Sequence, residues 1–225
     1  MEALLELSPG FYTWSDTASW SDRPEKTFER TGFAAHLPEA GVLALIDPPR
    51  LSEQAAGDLE RLGPPTHVLL TCNWHLRESE VCRERWGCKL WINELGLASA
   101  EAAMDGTFKH GDLLWGAIDV IHLPHVYWPE ETAFFVRDGS SVLVVGDALC
   151  GGREDTGVPD GEIGIFSTRH IVDTKMARLT LMRLLEVPYA TMCFGHGAPV
   201  LEDHHGALRR FLEREMFAEV ESQDT

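Results

Sequence analysis

Three short segments in the second half of the chain carry side chains able to bind a metal ion. They read Ile121-His122-Leu123-Pro124-His125, Val145-Gly146-Asp147-Ala148-Leu149 and Phe194-Gly195-His196-Gly197. Each follows an apolar run with the pattern of a β-strand, so the imidazoles and the carboxylate fall where strands end. Neutral imidazoles and carboxylates suit Zn²⁺, and a catalytic site leaves one position open for water. Glycines beside Asp147 and His196 let the backbone turn sharply or come close. A fourth segment, Thr71-Cys72-Asn73-Trp74-His75-Leu76-Arg77, follows the run Val68 to Leu70 and adds Cys72 and His75 as donors. Its Arg77 is a permanent cation.

The elements that must position these residues can be read from local pattern. Phe33 to Leu37 and Val42 to Ile46 flank Pro38-Glu39-Ala40-Gly41 and predict a hairpin. Asp47-Pro48-Pro49 closes the second strand, because a residue before proline avoids the helical region. Ser52 is placed to cap a helix over Glu53 to Leu62, with Gly63 as its stop and Pro64-Pro65 beyond. Thr66 to Thr71 predicts a buried strand, Glu78 to Trp86 a helix, and Lys89 to Asn93 a returning strand. Thr132 to Val136 and Val142 to Val145 flank the turn signal Asp138-Gly139. Met176, Leu179, Met182 and Leu185 carry helical spacing that Pro188 ends, and Tyr189 to Phe194 follows as a strand. Leu208, Phe211, Leu212 and Met216 mark a last amphipathic helix. Gly151 to Gly164 is the one long irregular stretch. Periodicity alone thus predicts a mixed α/β domain, and the chain fits one domain spanning residues 1–225.

Composition narrows the function classes. The chain has 225 residues, 44% hydrophobic and 24% charged, enough to bury a core without disulfides. With 36 acidic against 19 basic residues, its formal charge is −17. Such a surface repels phosphate backbones, so nucleic acid is excluded as the expected partner. No stretch approaches the ~18 apolar residues of a membrane span. The start, Met1-Glu2-Ala3-Leu4-Leu5-Glu6-Leu7, lacks a basic segment followed by an apolar one, so no signal peptide is expected. Five cysteines without framework spacing read as reduced thiols of a cytoplasmic protein.

The order and spacing of the donor segments resemble the metallo-β-lactamase superfamily. The strand ending at Asp47 matches that family's early strand with a terminal acid. His122-Leu123-Pro124-His125 resembles its His-Thr-Pro-Gly-His segment, Gly146-Asp147 its bridging aspartate, and Gly195-His196-Gly197 its last ligand. The resemblance covers roughly Gly32 to Val200 and implies a four-layer αββα sandwich. It departs at the first motif, His-x-His-x-Asp-His, where this chain has Thr71 to Arg77. Aligned on Thr71, Cys72, Trp74, Leu76 and Arg77 fall on the four ligand positions; shifted by one, Asn73 and His75 fall on the histidines. Neither register restores a pair of metals, so the sequence resembles a divergent branch with a degenerate site.

Two functional readings follow. In the first, His75, His125, Asp147 and His196 hold one divalent metal, zinc first and iron or manganese next. The protein then hydrolyses an ester, thioester, lactone or similar small molecule, with His75 and Asp147 as catalytic residues. In the second, the protein binds no metal: Arg77 replaces the metal's charge, pairs with Asp147, and the fold serves as a binding or regulatory domain. Other clusters have plainer readings. Cys72, His75, Cys82 and Cys88 contain a Cys₃His zinc set, but their irregular spacing favours buried apolar cysteines. Glu78 and Glu80 read as first-turn helix acids. His110, His170, His204 and His205 read as loop or surface histidines. Tyr127-Trp128-Pro129 suits either an aromatic packing contact or the lining of a small apolar pocket, with Trp14, Trp20 and Trp74 as further candidates for its rim. No Gly-x-Ser-x-Gly or phosphate-binding glycine loop is present.

Overall fold

A computed structural model describes residues 4–19, 24–137, 139, 141–165, 171 and 173–214. Trp20, Asp138, His170 and Met216 lie outside the described residues. One sheet runs in spatial order through β1 (Leu5–Ser8), β2 (Phe11–Ser19), β3 (Thr27–Leu37), β4 (Val42–Ile46), β5 (His67–Leu69), β6 (Lys89–Asn93) and β7 (Gly106–Phe108). It is antiparallel up to β4 and parallel from there. The second sheet joins β8 (Leu113–Leu114), β9 (Ile118–His122), β10 (Thr132–Val136), β11 (Val142–Val145) and β14 (Thr191–Phe194), parallel at β11 with β14. Between them in sequence, β12 (Cys150–Arg153) and β13 (Val158–Gly164) form a hairpin of their own.

Three buried clusters define four layers. Phe11, Phe33, Ile46 and Leu69 of the first sheet meet Val120, Phe134, Val144 and Cys193 of the second. On the first sheet's outer face, Leu45, Val68 and Leu90 pack with Leu59 and Cys82 of helices α1 (Glu53–Leu62) and α2 (Ser79–Trp86). On the second sheet's outer face, Phe135, Leu143 and Met192 pack with Leu181, Leu208 and Phe211 of α3 (Thr174–Met182) and α4 (His204–Leu212). The expected αββα sandwich is the observed architecture. Every residue of β4, β10 and β11 is buried, since both faces are covered. That is why these strands read as unbroken apolar runs and not as alternation. Ser52 caps α1 as predicted, its hydroxyl accepting from the Ala55 amide at 3.0 Å.

Several expectations are corrected. Gly151 to Gly164, read as irregular, is the β12–β13 hairpin; glycines interrupt its apolar pattern, since a Cβ at Gly151 would meet the Ala198 carbonyl and one at Gly152 the Pro159 carbonyl. Strand β3 begins at Thr27, six residues before Phe33. Its extra length is a half-buried polar overhang without an apolar run. On α3 the stripe Met176, Leu179 and Met182 faces solvent, and Ala177, Thr180 and Leu181 face inward. The Thr180 hydroxyl sets that rotation by donating to the Pro124 carbonyl at 2.8 Å. All five cysteines are free and buried, with Cys82 and Cys88 inside the outer core. Among the described residues no helix is long and apolar enough to cross a membrane.

Candidate metal centre

Strand ends β4, β5, β11 and β14 deliver the site. Just past β4, Asp47 is fully buried and its backbone turns through a left-handed conformation (φ 49°). Its Oδ1 accepts from the Thr71 amide at 2.9 Å, and its Oδ2 from the Thr71 hydroxyl at 2.6 Å. Beyond Cys72 the chain makes one 3-10 turn, Asn73–His75, which drops His75 back into the interior. His75 Nδ1 lies 2.8 Å from Asp47 Oδ2. A carboxylate only accepts, so Nδ1 carries the proton and Nε2 is the bare nitrogen of the neutral ring. That Nε2 lies 3.1 Å from Asp147 Oδ1.

The second imidazole repeats this arrangement from the opposite side. His196 Nδ1 donates to the Glu29 carbonyl at 2.9 Å, and its Nε2 lies 3.4 Å from the same Asp147 Oδ1. Two ring nitrogens thus approach the same carboxylate oxygen, each at a distance that a shared proton or a metal ion would span. Metal-ligating histidines characteristically give their other N–H to a carboxylate or a backbone carbonyl, and both histidines do so here. The Cys72 thiol lies within 4.8 Å of ligand atoms of His75 and Asp147.

Electrostatics follow from this crowding. Burial and Arg77 oppose the imidazolium of His75, but Asp147 and Asp47 outweigh them and hold the group above its ordinary value. Burial lowers His196 against the pull of Asp147. Asp147 is held well below the usual carboxylate range: its burial works the other way, and His75 and His196 overcome it. Glu131 behaves oppositely. Burial, with Asp147 adding, pushes its carboxyl well above the ordinary range. Its Oε1 accepts from the Ala148 amide at 3.2 Å, while its buried Oε2 has no hydrogen-bond partner. Burial, then Glu131 and the two aspartates, keeps Cys72 a thiol.

Two glycines make room. A Cβ at Gly195 would sit 2.8 Å from His75 Cε1, and one at Gly146 would be 2.7 Å from Glu131 Oε1 and overlap the Thr71 hydroxyl. Arg77 pins the strand ends together, donating to the carbonyls of Thr31 at 2.7 Å, Asp47 at 3.0 Å and Gly195 at 3.5 Å. The expected Arg77 to Asp147 ion pair is not formed. The guanidinium spends its donors on backbone carbonyls, and Asp147 is engaged by the two histidines.

Of the four expected ligands, the structure brings together His75, Asp147 and His196. The mutually close donors are Cys72, His75 and Asp147, and His196 joins them through Asp147. His125 stands apart: it is exposed and in a left-handed backbone conformation. Sequence reasoning missed Glu131, whose signal is a pair of acids, Glu130-Glu131, immediately before the wholly buried strand Thr132–Val136. It also missed the Glu29 carbonyl, which leaves no trace in side-chain type. The Cys₃His set is not assembled, since Cys72 and His75 face Asp147 while Cys82 and Cys88 lie under α1 and α2.

No protein-family model matches the chain, and no curated protein does. Solved structures do. A metallo-β-lactamase from Erythrobacter litoralis with β-mercaptoethanol in its active site is similar, with a TM-score of 0.69 at 10% identity over 92% of this chain and 96% of that one. The metallo-β-lactamase FIM-1 from Pseudomonas aeruginosa, in its mono-zinc form, gives 0.69 at 8% identity over 95% and 96%. A metallo-β-lactamase family protein from Thermus thermophilus gives 0.60 at 18% identity over 96% and 81%. At these identities the likeness is one of fold: the chain is a metallo-β-lactamase-type sandwich. A fold hosts many reactions, so the chemistry rests on the site itself.

Proposed function

We propose that this protein is a hydrolase-like member of the metallo-β-lactamase fold. It holds one divalent metal through His75, Asp147 and His196 and cleaves an ester, thioester or lactone of a small molecule. The observation that carries this reading is the convergence of both Nε2 atoms on Asp147 Oδ1, with each Nδ1 already committed to an acceptor. The donor set suits zinc first, with iron or manganese as substitutes. A bound divalent ion supplies Lewis acidity, polarising a carbonyl and making water nucleophilic near neutral pH.

The chain's own groups do the rest. Asp47 and the Glu29 carbonyl fix the tautomers of the two imidazoles. Asp147 draws both rings to one point. Glu131, buried beside Asp147, accepts from the Ala148 amide and so braces the turn that follows Asp147. Cys72 is a reserve donor that joins only after losing its proton. The acidic surface favours a small-molecule substrate over nucleic acid, and five free thiols are in keeping with a reducing, cytoplasmic setting.

The test is turnover of a panel of aryl esters, thioesters and lactones by zinc-loaded protein. Hydrolysis should vanish on chelation, return with zinc, and fall in His196→Ala by more than the roughly 10- to 100-fold that losing an outer partner costs. Turnover indifferent to both chelator and His196→Ala would remove the metal from the reaction.

A further inference from the structure

Cys72 opens the turn that carries His75, and its surroundings set it apart from most of the buried thiols. Cys82 and Cys88 pack in the core under α1 and α2, and Cys193 in the core between the sheets; Cys72 belongs to none of the three apolar clusters. It is fully buried all the same. Its sulfur, a ring nitrogen of His75 and a carboxylate oxygen of Asp147 all lie within 4.8 Å of one another. Ligands around a tetrahedral zinc stand roughly 3.5 Å apart, so small side-chain shifts would close the trio on an ion.

The backbone holds the sulfur in place. Cys72 is extended (φ −156°, ψ 170°) at the head of the 3-10 turn, and its carbonyl accepts from the His75 amide at 3.1 Å. On one side Thr71 is fixed by both Asp47 oxygens, and its carbonyl accepts from the Thr132 amide at 2.9 Å. On the other side the Asn73 amide donates to Glu130 Oε1 at 3.1 Å, and the Asn73 side chain to the Gly96 carbonyl at 3.0 Å. Cys72 and His75 are thus presented from one braced turn, at little ordering cost to a bound ion.

Charge points the same way. A buried divalent ion needs its charge matched. Asp147 supplies one negative charge, and the imidazoles ligate as neutral rings. The carboxylate of Asp47 is offset by the Arg77 guanidinium beside it. A thiolate at Cys72 supplies the second negative charge, its proton leaving as the ion binds.

We infer, resting on the metal-site reading above, that Cys72 Sγ is the fourth protein ligand of this centre, beside His75, Asp147 and His196. The ion is then zinc in preference to manganese, because a thiolate is a soft donor that a hard ion binds poorly.

The test is zinc K-edge X-ray absorption of wild-type protein loaded with one equivalent of zinc, beside Cys72→Ser and Cys150→Ser. The wild type should show one sulfur at about 2.3 Å together with nitrogen and oxygen at about 2.0–2.1 Å. Cys150→Ser should keep that sulfur and Cys72→Ser should lose it. In competition with a chromophoric chelator, Cys72→Ser should bind zinc about tenfold more weakly or worse, with a smaller preference for zinc over manganese. A shell of nitrogen and oxygen alone in the wild type, a sulfur that survives Cys72→Ser, or an unchanged metal preference would overturn the assignment. The wild-type and Cys150→Ser spectra decide even where Cys72→Ser does not fold. The two readings fail separately. A sulfur shell without metal-dependent turnover keeps Cys72 as a ligand and sinks the hydrolase; metal-dependent turnover with a shell of nitrogen and oxygen alone sinks the sulfur ligand and keeps the hydrolase. Protein that takes up no zinc overturns both.

Discussion

Asp47→Asn is expected to leave the protein folded while weakening divalent-metal binding by about 10- to 100-fold. The reason is a proton. In the native site Asp47 Oδ2 accepts from both the Thr71 hydroxyl and His75 Nδ1. An asparagine placed there keeps an oxygen for the Thr71 amide and turns an NH₂ toward the ring. His75 Nδ1 then loses its carboxylate acceptor and keeps only the Thr71 hydroxyl at 2.9 Å, so the tautomer with its proton on Nε2, facing Asp147 as a donor, is favoured. That proton gives Nε2 a hydrogen bond to Asp147 and removes the lone pair a metal would need. Asparagine also tolerates the left-handed backbone at this position. Its stability cost should stay near 1–3 kcal/mol. Asp47→Ala differs in kind. It strands the Thr71 amide and the His75 N–H in the interior and strains the backbone, for a loss of about 3–5 kcal/mol. Thermal melts and competition with a chromophoric chelator separate the two variants. Unchanged metal affinity in Asp47→Asn would mean that His75 Nε2 is not a ligand.

A second large effect is expected at Gly151→Ala. A Cβ there would overlap the Ala198 carbonyl oxygen and approach the Ala198 carbonyl carbon and Phe194 Cδ2, each to 2.9 Å. These are mostly backbone atoms, so no rotamer change relieves the clash. The neighbouring loop is already tight, with Gly197 at φ 88° and the Gly151 amide bonded to the His196 carbonyl at 3.0 Å. Overpacking of this kind costs about 1–3 kcal/mol, and more where backbone must move. The displaced segment carries His196, so metal affinity should fall with stability. Gly57→Ala is the contrast. That glycine lies inside α1, a Cβ on it meets nothing within 4 Å, and alanine should stabilise the helix by about 1 kcal/mol. Equal melting temperatures for the two variants would contradict this account of the loop.

Gly151 also shows where sequence stops informing. Elements that bury both faces or carry capping chemistry were legible: β4, β6, β10, β11 and the Ser52-capped α1 fall at the residues their patterns predict. The β12–β13 hairpin was not, because its close approach demands glycine where a strand usually shows alternating apolar residues. Yet this hairpin braces the site. Asp155 accepts from the Glu29 amide at 2.8 Å and Arg153 pairs with the Glu29 carboxylate, which holds the carbonyl that orients His196. On α3, spacing alone could not tell the face of Met176 and Leu179 from that of Ala177 and Leu181. Both recur at helical intervals, and tertiary packing chose the one that fits the sheet.

The candidate centre divides in the same way. Asp147 and His196 were legible because each follows a buried strand and a glycine. His75 was legible as a donor but not in its place, since local pattern did not show the 3-10 turn Asn73–His75 that swings it inward. His125 looked equivalent to His196 in sequence; its left-handed backbone and exposure set it apart. Backbone acceptors and the buried Glu131 depend on contacts between distant segments, which local pattern does not encode.

The central claim is that the converging donor atoms of His75, Asp147 and His196 hold a metal ion. Elemental analysis of protein purified without chelator or metal-affinity tag, run beside His196→Ala and His125→Ala, tests it most directly. The account predicts about one divalent ion per chain in the wild type and in His125→Ala, and close to none in His196→Ala. Negligible metal in the wild type, even after incubation with zinc, iron or manganese, would contradict it. A proton, not a metal, would then bridge His75 and Asp147.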